Sequence, residues 1–161
     1  MLMATAIFAL AASVGGPVDG KAAFERLKSL AGEWQGTAGG ETGMPASVRW
    51  EVGSAGTIVR ELLFPGTEHE MLSVYHLVGG QLVATHYCAM GNQPHFKLQA
   101  ATADELVFEF DGGTNFAPAT DTHIHDGRIR LVAPDRLEAN WTVFAGGKQT
   151  GSNTFSLTRK K

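Results

Sequence analysis

The chain carries one cysteine, Cys88, among its 161 residues. That excludes an internal disulfide framework and any cysteine-rich zinc module. Its thirteen Lys and Arg are scattered apart from the terminal Arg159-Lys160-Lys161, and the formal net charge is −3. The basic stripe of a nucleic-acid binder is missing, so no nucleic-acid partner is expected. No His-Glu-x-x-His motif occurs. The apolar run from Met1 to Val14 is shorter than the roughly 20 residues that cross a bilayer, so no stable membrane span is expected. With 43% hydrophobic residues, the chain is long enough for one domain with a real core.

Residues 1–18 read as a signal peptide. The run Met1–Val14 has the length of a signal core, and Ala9-Leu10-Ala11 offers the small-x-small pattern of a cleavage site. An exported protein, periplasmic or secreted, follows from this reading. No Lys or Arg precedes the run, which leaves a cytoplasmic protein with a poorly packed N-terminal helix as the alternative. Residues 19–161 form the single folded domain.

One amphipathic helix is predicted from Gly20 to Ala31. Ala23, Phe24, Leu27 and Leu30 recur at spacings of three and four, and Gly32 stands where a helix terminator is expected. Beyond Gly32 the period becomes two: Val48, Trp50 and Val52; Leu106, Phe108 and Phe110; Ile129 and Leu131; Leu137, Ala139, Trp141 and Val143. Alternation of this kind marks antiparallel strands with one wet face. Turn signals at Gly39-Gly40, Gly79-Gly80, Asp111-Gly112-Gly113, Pro134-Asp135 and Gly146-Gly147 separate them. About ten strands result: 33–39, 47–53, 57–64, 70–78, 81–89, 95–101, 105–111, 121–132, 136–145 and 149–158. Short connections and the need to protect sheet edges favour an all-β, about ten-stranded antiparallel up-and-down barrel with one short N-terminal helix.

Leu30-Ala31-Gly32-Glu33-Trp34-Gln35-Gly36 places Gly-x-Trp at the start of the first strand, and Phe155-Ser156-Leu157-Thr158-Arg159 lies in the last. This pairing resembles the calycin superfamily, the lipocalins and related small barrels, in which an Arg of the last strand covers the Trp at the closed end. A cation–π contact of about 0.5–2 kcal/mol is expected there. The stretch from Glu70 to His76, a Gly-Gly turn and Thr85 to Pro94 resembles a bacterial group of lipocalin-like proteins of unknown function, and the likeness runs over most of residues 24–159. The resemblance implies the fold and carries no activity. The chain departs from haem-binding nitrobindin-like barrels, since their Tyr-Pro segment after the first strand is missing.

Six histidines, at 69, 76, 86, 95, 123 and 125, are the main candidates for chemistry. His123 and His125 share one strand face. With an intact register that face also holds Ile129 and Leu131 and points into the barrel; a bulge around Asp126-Gly127 would reverse it. An exposed strand end, a polar cavity wall and a metal site are the three readings of this pair. The cupin-like spacing is incomplete, because Ala117 stands at the glycine position and Ile129 and Arg130 near the glutamate. Symmetric pairing about Gly79-Gly80 sets Val78 against Gln81, His76 against Val83 and Ser73 against His86, so His76 and His86 are not direct partners. His86 aligns with Leu82, Ala84, Cys88 and Met90 and is a candidate buried or pocket-lining histidine. Cys88 reads as a small buried hydrophobe, since nothing nearby would activate a thiolate. Asn92 and Gln93, before Pro94, form a polar loop that could face a ligand or simply make a turn. Glu61 and Glu70 are possible acids, with solvated strand faces favoured.

The leading expectation is an exported lipocalin-like barrel, monomeric or weakly dimeric, that binds a small, largely apolar ligand. Its polar anchors would come from His76, His86, Asn92, Gln93, His123 and His125. A histidine- or metal-dependent enzyme in the cavity and a structural or interaction barrel without ligand are the alternatives. No cofactor is specified by the residues.

Overall fold

The computed structural model describes residues 18–39 and 43–161. The signal-peptide expectation therefore falls outside the described residues, apart from Val18. Asp19 starts α1 (Gly20–Ser29), its carboxylate accepting the backbone N–H groups of Lys21 and Ala22 at 3.0 Å each. Two donors that the first turn cannot satisfy are thereby paired. Ala23, Phe24, Leu27 and Leu30 are buried, as their spacing predicts. The helix stops earlier than expected: Leu30 is its cap, and Gly32, with φ +128°, opens the first strand instead of terminating the helix.

Ten strands follow: β1 (Gly32–Ala38), β2 (Met44–Gly53), β3 (Ile58–Leu63), β4 (Met71–Val78), β5 (Gln81–Tyr87), β6 (Gln93–Ala101), β7 (Glu105–Thr114), β8 (His123–Ala133), β9 (Arg136–Ala145) and β10 (Lys148–Arg159). Each pairs antiparallel with its neighbours in sequence, and β1 pairs with β10, so the sheet closes. The fold is the expected all-β up-and-down barrel with one short helix. The predicted register about Gly79-Gly80 is also the observed one, with His76 opposite Val83 and Ser73 opposite His86. β5 is shorter than predicted. The Cys88 N–H bonds the Asn92 carbonyl at 3.1 Å and the Gly91 N–H bonds the Cys88 carbonyl at 2.9 Å, which turns the chain early. Among the described residues, no helix is long and apolar enough to cross a membrane.

Helix α1 plugs one end of the barrel. Gly20 lies so close to Gly80 in the β4–β5 turn that a Cβ would overlap its carbonyl. The Arg159 guanidinium sits 4.4 Å from the Trp34 ring centroid, as expected, and donates to the carbonyls of Ala31 at 2.7 Å and Ser29 at 2.9 Å. A cation at the helix C-terminus also meets the favourable end of its dipole. Leu82, Leu98, Leu106, Ile129, Leu137 and Leu157 are buried in this half of the barrel. Above them lies an aromatic layer. Trp50 meets Tyr75 at 5.6 Å between centroids, Tyr75 meets Phe108 at 5.7 Å, and Phe108 meets Trp141 at 6.1 Å; Phe96 adds to Trp141 at 5.0 Å.

The ladder of β8 and β9 breaks at Asp126-Gly127, the place where a bulge reverses the reading of the histidine face. Ile124 opposes Val143 and Gly127 opposes Trp141, so three steps on β8 face two on β9. Such a bulge inverts the side-chain alternation beyond it. Asp126 satisfies the break: its N–H donates to Thr142 Oγ1 at 2.9 Å, and its carboxylate accepts the Phe110 N–H at 2.9 Å, where the β7–β8 pairing has ended at Phe108. Gly127 lies directly against the Trp141 indole, and a Cβ there would overlap the ring. Gly127→Ala should therefore cost about 1–3 kcal/mol, the usual penalty of overpacking. Urea unfolding checks this; unchanged stability would show that the indole moves aside freely.

Candidate functional site

On the far side of the aromatic layer from α1, the barrel is hollow. A cavity of about 500 Å³ opens toward the end opposite the helix. Phe96 and Trp141 line it next to the aromatic layer, while Leu63, Ile124, Val143 and Phe155 contribute apolar wall. Met44, Met71 and Met90, the three methionines among the described residues, all line it. Met44 and Met90 are also exposed, which places them at the opening.

One wall is polar, and strand register builds it. Glu61 on β3 opposes Ser73 on β4, and Ser73 opposes His86 on β5. All three side chains line the cavity, and they are only 4%, 4% and 8% exposed. Tyr75, two residues along from Ser73 on the same face, donates its hydroxyl to Glu61 Oε2 at 2.8 Å. Ser73 Oγ lies 3.0 Å from His86 Nδ1. Burial pushes the Glu61 carboxyl up to about 7, with hydrogen bonds from Tyr75 and Ser73 pulling the other way. Burial lowers His86 to about 4, so its ring is neutral at pH 7. Burial and then the Glu61 charge raise Tyr75 well above 10, which keeps it a phenol and a donor.

Ser73 and His86 have two self-consistent proton arrangements. Where Nδ1 carries the proton, Ser73 accepts from it and Nε2 is left as an acceptor. Where Nε2 carries the proton, Ser73 donates to Nδ1. The order Glu–Ser–His differs from a hydrolytic triad, where the acid holds the imidazole and the imidazole meets the serine. A ring titrating near 4 is also a weak base at neutral pH. The arrangement is better suited to holding a polar atom than to removing a proton.

Of the six anchors expected from sequence, His86 lines this cavity. His76 lies on the opposite face of β4 from Ser73 and Tyr75, the buried residues of that strand. Asn92 is buried, but its side chain donates to the Thr122 carbonyl at 2.9 Å and so ties two loops together. Gln93 accepts from Thr114 Oγ1 at 3.0 Å and donates to the Gly91 carbonyl at 3.0 Å, ordinary turn chemistry. His123 and His125 are turned away by the bulge, since Ile124 between them lines the cavity. His125 stacks between Phe144 at 3.9 Å and Phe110 at 4.5 Å. His123 is fully buried, with Phe116 4.8 Å and Phe110 5.1 Å away, and its Nδ1 lies 2.9 Å from the Asp121 carbonyl. No group of three or more His, Cys, Asp or Glu suited to a metal occurs among the described residues.

Glu61 was expected on a solvated face and is buried instead. Its parity with the apolar Val59 and Leu63, both buried, carried that information. Glu70 accepts the Gly66 N–H at 2.6 Å in an exposed turn. Cys88 lines the cavity as an unpaired, half-buried thiol.

The two perturbed groups predict opposing pH effects on stability. Glu61 titrates higher folded than unfolded, so its contribution is complete below about 4.5 and is lost as pH rises through about 7. His86 titrates lower folded than unfolded, so its contribution is complete above about 6.5 and is lost as pH falls through about 4. The two slopes oppose each other over nearly the same window. Glu61→Gln should uncover a loss of stability between pH 6.5 and 4, and His86→Gln a gain between pH 7 and 4.5. Each change should amount to a few kcal/mol, read from urea midpoints at several pH values. Parallel profiles for both variants and the parent chain would refute the buried row.

No protein-family model matches the chain, and a search of curated proteins finds no match to it.

Proposed function

We propose that the protein is a lipocalin-like binding barrel that holds a small, largely apolar molecule in its open half. One observation carries this reading: a cavity of about 500 Å³ with mainly apolar walls and one buried polar row. Ligand sites are commonly concave and apolar with a few placed polar groups, and the mouths of barrels are frequent locations. A barrel filled by its own side chains would leave no such space. The methionines support broad shape tolerance, because unbranched thioether side chains repack around different contours. The apolar run at residues 1–14 supports an exported setting, periplasmic or secreted.

The test is a fluorescence titration with N-phenyl-1-naphthylamine, a neutral apolar probe. One equivalent should bind with enhanced emission. Val143→Trp, which places an indole in the cavity wall, should weaken binding tenfold or more while the barrel circular dichroism persists. Undiminished binding by the folded variant would move the site elsewhere, and no binding by the parent chain would remove the reading.

A further inference from the structure

The charge of the cavity wall narrows the class of ligand. Among the described residues, no Lys or Arg lines the cavity. Residues 1–17 and 40–42 contain none either. His69 lines the cavity but is an exposed residue, with Glu68 3.7 Å from its ring nitrogen. Deeper in, the ionisable side chains are Glu61, which is an anion or a neutral acid, and His86, which burial keeps neutral at pH 7, with the Cys88 thiol near the mouth. Tyr75 and Ser73 complete the polar set around the carboxyl.

A carboxylate, sulfate or phosphate head drawn into this wall would lose its water, meet no cation and face Glu61. Desolvating an unpaired charge is among the most costly events in recognition. A neutral head meets no such penalty. His86 lines the cavity, and Nε2 is the ring nitrogen left for a ligand, since Nδ1 is engaged with Ser73 and no protein hydrogen bond to Nε2 occurs among the described residues. Nε2 is an acceptor in one proton arrangement of the row and a donor in the other. A hydroxyl can donate or accept and so satisfies both, whereas an ether or ketone satisfies only the second.

We propose that the ligand is an apolar molecule ending in a neutral hydroxyl, an alcohol rather than a fatty acid, with that hydroxyl on His86 Nε2 and its hydrocarbon along the methionine-bearing walls. The inference rests on the binding-barrel reading and specifies the chemistry of the same site. The Glu61–Ser73–His86 row is then a head-group reader: Glu61 rejects anions, and His86, held by Ser73, takes the hydroxyl.

Displacement of N-phenyl-1-naphthylamine by three ligands of equal chain length provides the test. At pH 8, 1-decanol should displace the probe at a concentration at least tenfold below decanoate and below decylamine. His86→Leu, with the probe's affinity for the variant measured separately, should narrow the preference for decanol over decyl methyl ether from at least fivefold to about one. Should that variant fail to fold, decyl methyl ether serves on the parent chain, and it should bind at least fivefold more weakly than decanol. Decanoate matching decanol would overturn the head-group inference while leaving the binding barrel intact. Decylamine binding tightest would overturn it too, by making Glu61 a cation partner. Failure of the probe and of every chain to bind would overturn both readings together.

Discussion

The contact of the Trp141 indole with the backbone of Gly127 decides how the rest of the barrel is used. Because no side chain rises from Gly127, the ring can lie against β8 and meet Phe108 and Phe96 across the interior. That closes the aromatic layer, and the layer separates a packed half from a hollow one. The bulge that presents Gly127 to Trp141 also reverses the faces of the residues before it. Ile124 turns into the cavity as apolar wall, and the two neighbouring histidines turn out of it. One extra residue in β8 thus accounts for the aromatic layer, the composition of the wall and the removal of two imidazoles from the site.

Glu61 sets a second constraint. A carboxyl group this deeply buried destabilises the ionised fold, and a chain selected for stability alone would hold an apolar residue at that position. Its cost is limited by partners that strand register places without adjustment: a phenol two residues from the directly opposite serine, and an imidazole opposite that serine on the next strand. The acid and the base are moved in opposite directions by the same cause, the removal of water. Neutral forms of both are therefore accessible near pH 7, and the row presents hydrogen-bonding capacity with little permanent charge. Buried polar rows of this kind tend to occur where a protein has a use for them.

Much of the fold was legible because strand alternation and glycine punctuation are local signals. The register about Gly79-Gly80 follows from symmetric pairing alone, and the Trp34–Arg159 contact from the resemblance of the two ends of the chain to those of calycin barrels. The helix boundary was less legible, since Gly32 begins a strand as readily as it ends a helix. The site was legible only in part. His86 is legible because its strand partners are apolar, whereas Glu61, a possible acid, reads first as solvated although Val59 and Leu63 give it the inward parity. His123 and His125 depended on one register, and the sequence contained the bulge-forming Asp126-Gly127 without saying whether the bulge forms. Whether a glycine is an insertion or a step in the ladder depends on what packs against it, here an indole fourteen residues further along the chain.

The two ends of the barrel differ in what they hold, packing and closure at one and open space at the other. At the helix end, the guanidinium of Arg159 joins β10 to the carbonyls that finish α1, and Trp34 donates to the same turn through its indole N–H. Those interactions tie the first and last strands to the plug, where closure has the largest loop entropy to overcome. At the open end the strands run into turns, flexible methionines stand at the rim, and the interior keeps space that side chains could have filled. Leaving that space forgoes dispersion and burial energy, and the closed half compensates by holding the barrel together without it. The polar row lies in the hollow half, where rigid strands fix its geometry and the opening gives a ligand access. On the proposed reading, a head group entering there would meet a hydrogen-bonding imidazole and no Lys or Arg in the wall, so selection would fall on charge as well as on size.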